Sequence, residues 1–313
     1  MKLCQYYTKS EQREADLARR TPWEARVGLV VQDTLVPVTN CIDPNDTTLG
    51  LPLATKVIEW LESRSAWAKL DDWAAQHPSG GVSLREIFLG PPLLRPPALL
   101  DFHSFEPHAQ AAAMIQGTQV APEWYEQPVY YNGNTTALFG HGQRVAFPRD
   151  EDRMDFELEL ACVIGKRCRN VPPETAEDVI AGFCIMNDWS ARSAQARGMK
   201  TGLGPACGKD HATSLGPCLV SRDEIDDLAG LTMRAYVNQE LLWEGNSAAA
   251  HWTFGQMISF ASRCRTLYPG TVIGSGTVGQ GSGLAHDRFL RDGDTVRLEV
   301  DRLGVLENTI YVE

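Results

Sequence analysis

The chain has 313 residues, 43% of them hydrophobic and 22% charged, which fits a globular protein with room for one large domain or two unequal ones. A formal charge of −11 argues against nucleic acid or an anionic membrane as the main partner. No apolar run approaches bilayer-spanning length and Met1–Tyr7 lacks the apolar core of a signal peptide, so the expected location is the cytoplasm.

In chain order, the first elements are short strands. Arg26–Val31, the turn residues Gln32-Asp33 and Leu35–Val38 predict a hairpin. From Ala54 to Gln76 the period changes: Val57, Trp60, Leu61, Trp67, Leu70 and Trp73 recur at helical spacing. This stripe reads as a helix packed on a core rather than as a ligand platform. Prolines at 91, 92, 96 and 97 mark a domain boundary, giving a small N-terminal α/β domain over 1–95 and a larger domain over 96–313. Ala98–Phe102 then reads as a strand running into a polar turn, and Glu106-Pro107-His108 opens an Ala-rich helix through Met114.

The most informative stretch is Asp155-Phe156-Glu157-Leu158-Glu159-Leu160-Ala161, in which acidic and apolar residues alternate. That period predicts a strand with Phe156, Leu158 and Leu160 facing a core and three carboxylates on the other face. Carboxylates two apart on a strand are roughly 6.5–7 Å apart, so each adjacent pair repels by about 2–3 kcal/mol at an effective dielectric near 20. A solvated edge would screen this, but a second acid argues for a site. Ala181–Met186 reads as a buried strand ending in Asn187-Asp188, and an Asp beside Trp189 is costly to ionise unless paired. Two carboxylates from one strand and a third from another make an all-oxygen site for a hard divalent cation, Mg²⁺, Mn²⁺ or Ca²⁺.

Pro172-Pro173-Glu174-Thr175 predicts a helix through Ile180, and Asp188, Arg192 and Gln195 have the spacing to share one helical face. The glycine-rich segment Gly202–Lys209 lacks the spacing of a phosphate-binding loop, which excludes that mode of nucleotide binding. Farther on, Leu231–Val237 and Glu240–Glu244 predict a hairpin through Asn238-Gln239. Trp252–Cys264 reads as a helix, and Thr271–Gly274, Thr295–Val300 and Val305–Val312 as strands. The eight cysteines form no C-x-x-C pair, so free thiols are expected and a zinc ribbon is not.

Five motifs in one order carry a resemblance: Asp101 with His108, Glu157-x-Glu159, Asn187-Asp188-Trp189-Ser190-Ala191-Arg192, Gly208-Lys209 with Thr213, and Gly274-Ser275-Gly276-Thr277. From Asp101 to the C-terminus the chain resembles the fumarylacetoacetate hydrolase family. The resemblance implies an α+β, β-rich fold, a rolled mixed β-sandwich with a smaller N-terminal domain, and a homodimer. It implies one divalent cation held by Asp101, Glu157, Glu159 and Asp188, with Asp155 outside the coordinating set. His108 falls at the general base, Lys209 and Arg192 at catalytic cations, and Tyr131, Gln195, Thr213 and Thr277 at substrate-binding positions.

The implied reaction is hydrolytic cleavage of a C–C bond in a 1,3-dicarbonyl keto acid such as an acylpyruvate. Relatives also act as oxaloacetate decarboxylases, hydratases or isomerases of 2-keto acids, and a silent metal- and carboxylate-binding protein is a further alternative. The family's histidine is oriented by a glutamate that this chain replaces with Ala285, leaving Asp287 or Glu106 as substitutes. His103 and Met199 stand where fumarylacetoacetate hydrolase has tyrosines, so fumarylacetoacetate itself is not the expected substrate.

Overall fold

The computed structural model describes residues 1–8, 26–31, 33–38, 72–73, 76, 81–115, 117–225 and 227–313. The expected helix over 54–76 lies almost wholly outside the described residues; Trp73, one member of its stripe, packs half-buried against an apolar cluster.

Seven elements carry the site: β1 (Leu99–Phe102), α1 (Glu106–Ile115), β2 (Leu158–Ile164), β3 (Ile180–Asp188), α2 (Arg192–Met199), β4 (Thr213–Ser221) and β5 (Val272–Gly274). The strands lie side by side in the order β4-β3-β2-β5-β1. All neighbours are antiparallel except β5 and β1, which run parallel. On the far side of β4, Lys2–Thr8 pairs antiparallel with it and leads to the expected Arg26–Val31/Thr34–Pro37 hairpin. Strands from either side of residue 95 therefore share one sheet.

A second sheet runs in the order Glu240–Asn246, Thr232–Val237, Thr295–Val300, Gly304–Val312, Arg144–Phe147, with only the last pair parallel. Its hairpin turns at Asn238 and Gln239, both with positive φ (51° and 70°), a geometry whose twist matches that of the flanking strands. Leu158, Leu160, Phe183 and Ile185 of the first sheet and Met233, Val296, Leu298 and Ile310 of the second share one core. The opposite face of the first sheet buries Ala161, Val163, Cys184 and Met186 with Leu3, Leu29 and Val36. Burial on both faces explains why β3 reads as an unbroken apolar run. The helix Phe254–Cys264 starts at a Thr253/Gln256 capping box and turns Phe254, Met257, Ile258 and Ala261 into the core.

Two expectations need correction. The helix expected from Pro172 through Ile180 is a single 3-10 turn, Ala176–Val179. Ile180 is already paired with Ile164 in β2, so the sheet claims the chain before a helix can propagate. The alternating stretch is also not one strand. Met154–Asp155 pairs with Ser190–Ala191, Glu157 forms a lone bridge with Ser282, and β2 begins only at Leu158. The break lets Asp155, Glu157 and Glu159 find different partners instead of standing in a repelling row. Among the described residues, the seven cysteines are free and no helix is long and apolar enough to cross a membrane.

Candidate active site

The ladders bring three acids together. Gly274 is paired with Asp101 on one side and Ala161 on the other, while Glu159 is paired with Met186, two residues before Asp188. Asp101, Glu159 and Asp188 are all buried and offer carboxylate oxygens within 4.8 Å of one another. Gly274 makes the space: a β-carbon there would stand 2.5 Å from Asp101 Oδ1 and 3.1 Å from Glu159 Oε2, and would collide with the Met186 methyl.

Asp101 Oδ1, Glu159 Oε1 and Asp188 Oδ1 are buried without a hydrogen-bond partner. Burial and the charge of Asp188 raise the Asp101 pKa well above the usual range. Burial, then Asp101 and Asp188, do the same for Glu159. Burial also raises Asp188, against the opposing charge of Lys209. Buried, mutually repelling hard oxygen donors, one oxygen of each unpartnered, fit a divalent cation of the Mg²⁺, Mn²⁺ or Ca²⁺ type. Such an ion would remove the repulsion and take up the unpartnered oxygens at once.

Glu157 stands apart from this trio. Its Oε1 is 2.8 Å from Arg192 Nη2 and 3.5 Å from His108 Nε2, and its Oε2 accepts from Lys209 Nζ at 2.6 Å. Burial alone would raise its pKa, but the Lys209 and Arg192 charges hold it well below the usual carboxylate range. Of the four expected ligands, the structure therefore gathers three, and gives the fourth to two cations. Lys209 Nζ also donates to Asp188 Oδ2 at 2.5 Å and to Ser190 Oγ at 2.7 Å. Burial opposes its charge, but Asp188 and Glu157 outweigh that and raise its pKa.

The remaining expected residues surround this core. Tyr131 donates its hydroxyl to Asp188 Oδ2 at 3.0 Å, and burial followed by the Asp188 charge raises its pKa. Thr213 opens β4 directly across from Asp188, and Thr277 is buried with its Oγ1 unpartnered. Arg192 Nη1 donates to Gln195 Oε1 at 3.0 Å, as their helical spacing predicts. Asp188 does not share that face, because it ends β3 and the helix starts only at Arg192.

His108 sits buried in the first turn of α1, with its ring edge-on to His103 at 5.2 Å between centroids. Its Nδ1 has no hydrogen-bond partner, so neither proposed substitute for the missing glutamate orients it. Glu106 instead accepts from Tyr125 at 2.7 Å and Gln110 at 3.0 Å. Asp287 caps the turn after Gly283–His286 in a left-handed conformation. His103 is held neutral, its pKa lowered to about 3 by burial and then by His108.

Sequence reasoning missed several contributors. Ser190 is the third acceptor of Lys209, and Asn187 Oδ1 receives the Glu157 backbone N–H at 3.0 Å. Both flank Asp188 within its motif, and that adjacency was the available signal. The Gly276 N–H donates to Glu159 Oε2 at 3.0 Å, a contact no side-chain pattern could reveal.

The family profile described as fumarylacetoacetate (FAA) hydrolase C-terminal matches residues 100–311. The chain belongs to the fumarylacetoacetate hydrolase family. An uncharacterized protein of Archaeoglobus fulgidus is 37% identical over 185 residues, 59% of this chain and 69% of that protein. A mitochondrial oxaloacetate tautomerase of Xenopus laevis is 35% identical over 188 residues, covering 59% of this chain and 58% of that relative. The maleylpyruvate hydrolase of Sphingobium sp. SYK-6, solved with manganese(II) and pyruvate, superposes with a TM-score of 0.74 at 23% identity, over 100% of this chain and 99% of that one. The last likeness is one of fold. The family fold agrees with the β-rich α+β architecture expected from the motifs.

Proposed function

We propose that the chain is a divalent-metal-dependent enzyme that hydrolyses a C–C bond of an acylpyruvate-like 1,3-dicarbonyl keto acid. The observation that carries this reading is one juxtaposition. His108 Nε2 lies 3.5 Å from Glu157, which Lys209 ties to the Asp101–Glu159–Asp188 trio, each of whose carboxylates keeps one unpartnered oxygen. Asp101, Glu159 and Asp188 would hold the cation, with Glu157 beside them. When bound, Mg²⁺ or Mn²⁺ supplies Lewis acidity toward the substrate's carbonyl oxygens.

The chain's own residues account for the rest. His108 takes a proton from water, and the hydroxide adds to the distal carbonyl carbon. Lys209 and Arg192 provide fixed positive charge beside the oxyanion that forms. The C–C bond then breaks, its electron pair leaving as the enolate of pyruvate, and His108 returns its proton to that carbon. Tyr131, Gln195, Thr213 and Thr277 offer hydrogen bonds that orient the substrate's oxygens. A homodimer in the cytoplasm remains part of this proposal.

The bare Nδ1 of His108 favours one second reading, tautomerisation or isomerisation of a 2-keto acid on the same residues, since proton shuttling at carbon needs no activated water. The likeness to an oxaloacetate tautomerase supports it. Incubating the Mn²⁺ form with a panel of acylpyruvates and with enol-oxaloacetate, followed by product analysis, separates the two. Pyruvate plus a free carboxylic acid supports the hydrolase. Accelerated enol–keto conversion without cleavage supports the tautomerase, and neither product contradicts both.

A further inference from the structure

Asp155 is fully buried and takes no part in the chemistry above. Nonetheless, its carboxylate is the most heavily committed near the site. Oδ1 accepts from the backbone N–H of Phe156 at 2.8 Å and of Gly283 at 2.8 Å. Oδ2 accepts from Leu284 N–H at 3.1 Å and from Arg192 Nε and Nη2 at 2.8 and 2.5 Å. The same Nη2 reaches Glu157 Oε1 at 2.8 Å.

The loop side of this junction depends on Gly283. A β-carbon there would stand 2.6 Å from Asp155 Oδ1 and collide with the Arg288 carbonyl, so only glycine lets the backbone approach the carboxylate. The preceding residue, Ser282, bridges to Glu157, so loop and site meet at two adjacent points. A second support acts on the same helix: Glu151 accepts from the N–H groups of Ser193 and Ala194 at the start of α2.

We propose that Asp155 is a positioning residue that fixes the Arg192 guanidinium against Glu157 and ties the Gly283–Leu284 backbone to the site. A two-point hold on a guanidinium fixes its plane as well as its place. Through it, movement of the loop reaches Glu157, and from Glu157 both Lys209 and His108. Only the ligand-binding part of the following test rests on the proposed function.

The test uses the full-length chain loaded with Mg²⁺. The Arg192 Nε–H resonance is assigned by its loss in Arg192→Lys, and its exchange with solvent is followed by NMR. Pyruvate is the binding probe, titrated by calorimetry. Asp155→Asn keeps one oxygen for the Phe156 and Gly283 N–H groups but turns an NH₂ toward the Arg192 donors. The expected result is Arg192 Nε–H exchange faster by about tenfold or more, the loss of a charge-assisted hydrogen bond, and weaker pyruvate binding by a comparable factor.

Gly283→Ala reaches the same carboxylate from the loop side and serves if Asp155→Asn does not fold; it too should speed exchange and weaken pyruvate. Slow exchange and unchanged pyruvate affinity in a folded variant would overturn the proposal, whatever its melting temperature. Wild-type protein that ignores pyruvate would count against the proposed function alone. The exchange comparison would still decide the role of Asp155, faster exchange in the variant upholding it and equal exchange overturning it.

Discussion

Gly274 lies directly across the parallel ladder from Asp101, and the side chain it lacks leaves the space that the Asp101 and Glu159 carboxylates occupy. Gly274→Ala should therefore crowd Asp101 Oδ1 and Glu159 Oε2 without adding charge. The expected outcome is a fall of roughly 10–100-fold in Mn²⁺ affinity, the range seen when the supports of metal ligands are disturbed. Calorimetric titration checks it, and unchanged affinity would contradict the geometry.

Chelation should destabilise the protein, because an ion that binds only the folded chain adds stability by mass action. At a free metal concentration 100 times Kd, that gain is about 2.7 kcal/mol. Adding Mn²⁺ to metal-stripped protein should raise the melting temperature by several degrees. Glu159→Gln should abolish that shift while melting no lower than metal-free wild type, since it removes a repelling buried charge.

The pH dependence has a definite sign. Asp101, Glu159 and Asp188 have raised pKa values in the metal-free fold, so each holds its proton more tightly folded than unfolded. Their contribution to stability is full below the ordinary carboxylate values and is lost as pH rises through the raised ones. Above about pH 4.5, near the ordinary glutamate pKa, metal-free Glu159→Gln should thus gain stability relative to wild type as pH increases. Metal binding must displace the same protons, so Mn²⁺ affinity should climb with pH and titrations in buffers of different ionisation enthalpy should report proton release. A pH-independent gap and no proton release would contradict the assignment.

The sequence exposed the acids of the site but not their allegiances. Period-two alternation puts Asp155, Glu157 and Glu159 on one face, and nothing in it marks the backbone break before Leu158 that separates them. The cations Arg192 and Lys209 were visible as residues of motifs. That Lys209 would contact Glu157 rather than solvent depends on a contact between positions 52 residues apart. Strands with long apolar runs were legible, as were the Asn238-Gln239 turn and the helix over Trp252–Cys264, because each signal is local. The Pro172–Ile180 segment misled because its N-terminal helix signature was overridden by sheet pairing at Ile180. His108 was found by motif order, but its unpartnered Nδ1 is a fact of three-dimensional packing.

Lys209→Met should test the electrostatic pairing of Glu157 and Asp188. Removing one partner of a buried ion pair typically costs about 3–5 kcal/mol, because a charge is left uncompensated. Denaturant unfolding of the metal-free protein should show a loss of that order, and bound metal should reduce it by taking up the Asp188 charge. A loss below about 1 kcal/mol, as for exposed pairs, would place Lys209 outside the buried network.

The central claim is that His108 activates water beside a carboxylate metal site without being a ligand of it. Its most direct test is the rate of pyruvate release by His108→Ala in the Mn²⁺ form, measured beside its Mn²⁺ affinity on an acylpyruvate that wild type cleaves. The account predicts wild-type metal affinity and a rate lower by roughly 10²–10⁴-fold, the usual contribution of a general base. Full activity in His108→Ala would contradict it.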